Sequence, residues 1–226
     1  MKALHYACPL PSGGSVNELA LAFDKGRDKR LLILPALFDE ANRMRRFTVE
    51  VMRRLDSAGI DCFLPDLPGC NESLQDLAEI TSVDWSDAMQ AAAAHFGATH
   101  LLAIRGGGLI HPGGLPGWHY GPVKGSSILR QMLRARFLSS REAGREENQD
   151  GLLKVGLATG LELAGYQLSA GMLRDLQAIV VPNGACLTVI EQEMIGSSPL
   201  WLRAEPDDDR AQTDALAAVI AIGIGA

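Results

Sequence analysis

Three aliphatic runs set the frame of this chain: "RLLILPAL" at 30–37, "IDCFLPDLPG" at 60–69 and "HLLAI" at 100–104. None alternates apolar with polar residues, so none reads as a strand with one wet face. Unbroken aliphatic runs of this length belong to strands covered on both sides. Between the first two lies an amphipathic helix. Asn42 is placed to cap it, Met44, Phe47, Val51, Leu55 and Ala58 step by three and four along one stripe, and Gly59 closes it. A second helix is predicted over 82–97, with Trp85, Met89, Ala92 and Phe96 on one side. Strand and helix alternating in this order require right-handed crossovers and a parallel sheet, so the chain is α/β.

Beyond the third run the pattern loosens. "GGGLIHPGGLPGWHYGPVKG" leaves room for only a short helical turn before Pro112. A helix resumes over 126–138, with Leu129, Met132, Leu133 and Phe137 facing inward. The charged stretch 139–151 reads as a mobile surface loop, and 152–169 as a hairpin turning at Thr159-Gly160. A short helix capped by Ser169 follows, then strands over 186–193 and 200–204 and a terminal helix over 207–222. With no repeat and no linker, the expectation is one domain over 1–226, in which about 124–178 forms a small insert or cap.

Three motifs then fall in order. "DLPGCNES" (66–73) directly follows the second run and has the form D-x-P-G-x-x-x-S. "PALFDEANR" follows the first, and "AIRGG" (103–107) follows the third in the small-x-apex-x-small form of a strand-to-helix elbow. The flanking small residues have a steric purpose, because the apex takes positive φ and larger neighbours would collide. Together these motifs resemble those of α/β-hydrolases. The resemblance implies a mainly parallel central sheet flanked by helices, with oxyanion-type backbone groups near Ala36 and Leu37. "LFDEANRMRR", "LPDLPGCNES", "GPVKGSSILRQMLRARF" and "LELAGYQLS" are similar to the hydrolase-like proteins associated with the exosortase A system, whose apex residue also tends not to be serine. That second resemblance implies a bacterial protein with a place near exopolysaccharide synthesis and protein sorting.

Here the apex is Arg105. Acyl transfer by such an elbow needs a nucleophile, then an acid, then a histidine, in chain order. A guanidinium stays protonated and cannot attack a carbonyl. Glu191 and Glu193 could supply the acid, but all five histidines (His5, His95, His100, His111, His119) precede residue 120. Two of three roles are empty. A displaced nucleophile, Cys70 or Ser73, is the enzymatic alternative, giving an esterase, thioesterase or acyltransferase. His111, His119 and a carboxylate fit no common metal spacing, and neither a metal nor a cofactor is expected. Arg105 itself has two readings. It pairs with a carboxylate, Glu40 ahead of Asp39 and then Glu191, or it captures a small anionic or acyl ligand together with Gly106, Gly107, Ala36, Leu37 and Glu40.

Composition narrows the partners. A formal net charge of −6 argues against a nucleic-acid surface. The apolar C-terminal "ALAAVIAIGIGA" is too short for a membrane span, which takes about 20 residues. The N-terminus has no secretory-type apolar run, and Cys8, Cys62, Cys70 and Cys186 form no CxxC pair. A reduced, soluble, cytoplasmic protein is expected. The functional expectation is a pseudo-hydrolase with a binding or accessory role. Its alternatives are the displaced-nucleophile enzyme and a module that docks a pathway protein or a second copy of itself.

Overall fold

The computed structural model describes residues 1–225 apart from 185 and 197. The chain opens with β1 (Lys2–Pro9) and β2 (Ser15–Phe23), an antiparallel hairpin that turns through Gly13 and Gly14. The three aliphatic runs follow as β3 (Arg30–Leu34), β4 (Asp61–Pro65) and β5 (His100–Ile104), separated by α1 (Asp39–Ser57) and α2 (Ser82–His95). Two more strands, β6 (Gly117–Tyr120) and β9 (Leu187–Ile190), complete a seven-stranded sheet in the order β1-β2-β4-β3-β5-β6-β9. β2 runs antiparallel to β4, and every pair from β4 to β9 is parallel. Between β6 and β9 lie α3 (Gly125–Glu142), α4 (Gln149–Thr159), the hairpin β7 (Leu161–Leu163) and β8 (Tyr166–Leu168), and α5 (Ala170–Ala178). The chain then ends through α6 (Gln192–Ile195) and α7 (Arg210–Gly225).

Burial follows from the aliphatic runs. Along β3 and β5, Leu32, Leu34, Leu101 and Ala103 face a core shared with α2, α3 and α5, while Leu31, Ile33, Leu102 and Ile104 face one shared with α1 and α7. Each strand is therefore covered on both faces, as unbroken apolar runs require. α2 starts at a capping box: Thr81 accepts from the Asp84 backbone, and the Asp84 carboxylate accepts from the Thr81 N–H.

Several local expectations are corrected. α1 begins at Asp39, so Asn42 lies inside it and caps nothing. The acidic pair Asp39 and Glu40 occupies its first turn, where the helix dipole favours negative charge. Ala58 is exposed past the helix end, while Gly59 does take positive φ there. The stretch 139–151 is not one loop. α3 runs on to Glu142, α4 starts at Gln149, and Arg136 pairs with Glu147 at 3.1 Å to tie the link back. Thr159-Gly160 ends a helix instead of turning a hairpin: Asn148 caps α4 by accepting from the Gly151 N–H at 2.7 Å, and the β7–β8 turn falls at Ala164-Gly165. Residues 200–204 form no strand. Leu200 and Trp201 are consecutive and both buried, which a helical 3-10 turn permits and strand alternation forbids.

Candidate functional site

The elbow is present and distorted in the expected way. Arg105 leaves β5 with φ +52, and a 3-10 turn over Arg105–Ile110 replaces a full helix. The glycines are steric necessities. A Cβ on Gly107 would lie 2.5 Å from the Leu34 carbonyl oxygen and 2.6 Å from that of Pro35, so the turn packs directly against the end of β3. A Cβ on Gly106 would meet Leu37 and Ile128 side-chain carbons at 2.9 Å. The Leu37 and Ile128 side chains therefore pack directly against the backbone at Gly106.

The Arg105 guanidinium is engaged through all three of its nitrogens. Its Nε and Nη2 donate to the two carboxylate oxygens of Glu40, each at 3.0 Å, and Nη1 donates to the Gly121 carbonyl at 2.5 Å. One face lies 4.1 Å from the Trp201 ring centre. The side chains of the pair are only 13% and 11% exposed, which makes the two-point geometry valuable: a buried charge needs both a counter-charge and satisfied hydrogen bonds. Glu40, not Asp39, is the partner. Glu191 lies nearby, sharing with Arg105, Glu193 and Trp201 the lining of an open cleft of about 590 Å³. Two carboxylates on that cleft oppose the binding of an anion there.

The other candidate residues lie apart. Ser73 donates to the buried Glu18 carboxylate at 2.7 Å and accepts from the Gly69 N–H at 2.9 Å, so its hydroxyl fixes a loop. Cys70, together with Ala36, lines a different cavity between α1 and the loop after β4. Burial pushes its thiol up to about 12, with the charge of Asp66 adding to the effect. His111 and His119 pack against each other with ring centres 5.4 Å apart. His111 Nδ1 accepts from the Gly113 N–H at 2.8 Å, and His119 sits against Gly108 on the sheet face opposite Tyr120. Desolvation lowers the pKa of His119 to about 4. Neither histidine lines the cavity that holds Cys70. Among the described residues no group of three or more histidine, cysteine or acidic side chains could hold a metal, and no helix is long and apolar enough to cross a membrane. Sequence reasoning missed Gly121 and Trp201, the remaining partners of Arg105. Trp201 lies in an apolar run that mimics a strand, and Gly121 is one glycine among many in its stretch.

Comparison with solved structures identifies the fold. The chain is similar to α/β hydrolase domain-containing protein 10 from mouse, with 13% identity over 92% of this chain and 94% of that one and a TM-score of 0.59. It is also similar to DcsB, solved in complex with its substrate analogue, with 11% identity over the whole of both chains and a TM-score of 0.56. A third similar structure is Rv0554 from Mycobacterium tuberculosis, with 11% identity, 84% and 80% coverage and a TM-score of 0.50. No family model matches the sequence, and no curated protein matches it. The chain has the α/β-hydrolase fold, with an arginine where the fold's elbow presents its apex side chain.

Proposed function

We propose that this protein is a non-catalytic member of the α/β-hydrolase fold with a binding or accessory role. The observation that carries the reading is the closure of Arg105 by Glu40, Gly121 and Trp201 at the apex. A side chain held on three nitrogens and one face has no freedom to take part in acyl transfer, and the sequence carries no histidine after residue 119. The displaced-nucleophile reading is weaker. A thiol near 12 is protonated at neutral pH, and the Ser73 hydroxyl is committed to Glu18. Anion capture by Arg105 would require an anion to displace Glu40, so that site favours structural pairing. The residues from about 124 to 178 would act as a cap on a single domain, and a pathway linked to exosortase sorting and exopolysaccharide rests on the sequence resemblance alone. The test is exposure of the purified protein to a fluorophosphonate probe and to p-nitrophenyl acetate. Neither labelling nor turnover above background is expected; turnover lost in Ser73→Ala or Cys70→Ala would overturn the reading.

A further inference from the structure

We propose that the partly open cavity of about 280 Å³ between α1 and the loop after β4 is a ligand site, shaped for a compact, uncharged molecule with an apolar body and one carbonyl or hydroxyl group. The assignment rests on the non-catalytic reading above and gives it a place and a ligand chemistry. The cavity does not include Arg105 or the elbow glycines.

Pro35, Phe38, Met44, Leu64 and Leu67 give the cavity its apolar part, and Asn42, Arg45, Thr48, Asn71 and Tyr166 make the rest of its lining substantially polar. The walls are also built to stay open. The loop after β4 is held by Trp85 Nε1 donating to the Pro68 carbonyl at 2.9 Å and by the Tyr6 hydroxyl donating to the Asp66 carbonyl at 3.0 Å. Arg45 Nη1 and Asn71 Nδ2 then both donate to Asp66 Oδ1, at 3.1 and 2.9 Å. On the opposite side Phe38 is wedged between Trp85 and Tyr166, with ring centres 5.4 and 5.3 Å away. Phe38 and Asn71 both line the cavity and both hold positive φ, +55 and +53. Left-handed backbone at a bulky residue costs energy and persists only where the surroundings enforce it.

The polar groups that converge on this space define the ligand. Among the described residues the amide of Asn42, an exposed residue at the rim, the hydroxyl of the half-buried Tyr166, and the Nε and Nη2 of Arg45, whose side chain is 32% exposed, have no protein hydrogen-bond partner and are open to a ligand or to water. Most of these are donors, so the complement is an acceptor such as a carbonyl or hydroxyl oxygen. Asp66, whose side chain is 1% exposed, already balances the charge of Arg45. An anionic or cationic ligand would give up its hydration for no free counter-charge, whereas a neutral one would not. The size lies just below the usual range for ligand cavities, about 300–1,000 Å³, which suits a single ring or a short acyl chain. A concave site that joins apolar walls to a few polar groups is the general form of a small-molecule site.

The test uses the full chain with four probes of matched size: benzamide, benzyl alcohol, benzoate and benzylamine. Benzamide and benzyl alcohol are expected to raise the melting temperature saturably and to move the backbone amide NMR signals of Ala36, Gly69, Cys70 and Asn71. Arg45→Lys, which keeps a positive charge beside Asp66 and removes the planar donors, should weaken benzamide about tenfold. Ala41→Trp, which fills the cavity, should abolish binding; Tyr166→Phe provides a milder loss should the larger change unfold the protein. Absence of any perturbation by the neutral probes at millimolar concentration, or equal binding in wild type and Ala41→Trp, overturns the site. Tighter binding of benzoate or benzylamine than of benzamide overturns the uncharged ligand class. Ester turnover measured alongside separates the two ideas: turnover together with benzamide binding retires the non-catalytic reading and leaves the cavity standing.

Discussion

Glu40 closes on Arg105 with both carboxylate oxygens at 3.0 Å, joining the first turn of α1 to the apex that follows β5. The two residues are 65 positions apart in the chain, so the pair exists only when β3 and β5 are correctly aligned. Removing one partner of a buried pair leaves the other charge uncompensated, at a cost of about 3–5 kcal/mol. Glu40→Gln is therefore expected to lower stability by about that amount, while Glu146→Gln, on the exposed α3–α4 link, should change it by less than about 0.5 kcal/mol. Replacing both partners with leucine should recover most of the loss, since an apolar pair leaves no stranded charge. Urea denaturation of the three variants checks this. Equal midpoints for the two single variants would count against a stabilising pair.

The glycines after the apex should differ sharply in tolerance. A methyl group on Gly107 meets two main-chain oxygens at 2.5 and 2.6 Å, and backbone there cannot move without disturbing the end of β3. A methyl on Gly108 meets the Val181 side chain at 3.1 Å, which can give way. Gly107→Ala should thus cost about 3 kcal/mol or prevent folding, and Gly108→Ala about 1 kcal/mol or less. Thermal melts of the two proteins make the comparison, and a Gly107→Ala protein as stable as wild type would refute the close approach.

Placing a nucleophile at the apex should not create an esterase. Arg105→Ser supplies a hydroxyl at the elbow, but no histidine follows it on a late strand, and Leu37 and Ile128 still cover Gly106. General-base assistance alone contributes about 10²–10⁴-fold. The variant is expected to hydrolyse p-nitrophenyl acetate no faster than wild type. A gain of tenfold or more would show that another base reaches the apex.

Much of the frame could be read from residue pattern, because β3, β4 and β5 are buried on both faces and leave unbroken aliphatic runs. The partner of Arg105 was also legible, since a buried cation demands an anion and the loop after β3 carries only two. β6 was not. Its four residues, Gly117 to Tyr120, follow a run of glycines and prolines that mimics a loop, and Gly117 is needed because a Cβ there would lie 2.1 Å from the Leu101 carbonyl. The β1–β2 hairpin is not legible in the pattern because its buried positions include Tyr6, Cys8 and Glu18, not a plain aliphatic alternation. α4 was hidden by Gly151 and Gly156. The second of these lets α4 approach Leu173 of α5, where a Cβ would lie 2.8 Å away, so tertiary packing overrides weak helix propensity. The cavity beside Cys70 could not be read at all, since it depends on how Phe38 and Asn71 bend.

The four thiols should separate cleanly in reactivity. Cys186 is exposed, whereas burial raises Cys8 to about 11 and Cys70 to about 12 and pushes Cys62 higher still. The thiolate is the reactive form, so iodoacetamide at pH 8 should modify Cys186 and leave the other three intact in the folded protein. Peptide mass spectrometry reads the pattern. Rapid modification of Cys70 in native buffer would mean that its cavity opens more widely than the structure describes.

His119 gives the fold a specific acid sensitivity. Its side chain is buried at 1% exposure, and desolvation, with His111 adding to it, holds the pKa near 4, below the unfolded value of about 6.5. The unfolded chain therefore binds a proton between those two values that the folded protein refuses. Stability contributed by the neutral ring is fully present above about pH 6.5 and is lost as pH falls toward 4. At 1.36 kcal/mol for each pH unit across that window, the loss is about 3 kcal/mol. His111, also lowered by burial, acts in the same direction. His119→Leu removes the proton-binding group while keeping a buried side chain. Urea denaturation at pH 7, 5.5 and 4.5 should show wild type losing about 2 kcal/mol more than His119→Leu over the range, which stops short of the full window. Acidic side chains titrate in both proteins and cancel in the difference. Parallel stability curves for the two would mean that His119 accepts its proton in the folded state, and so would refute its burial as a neutral ring.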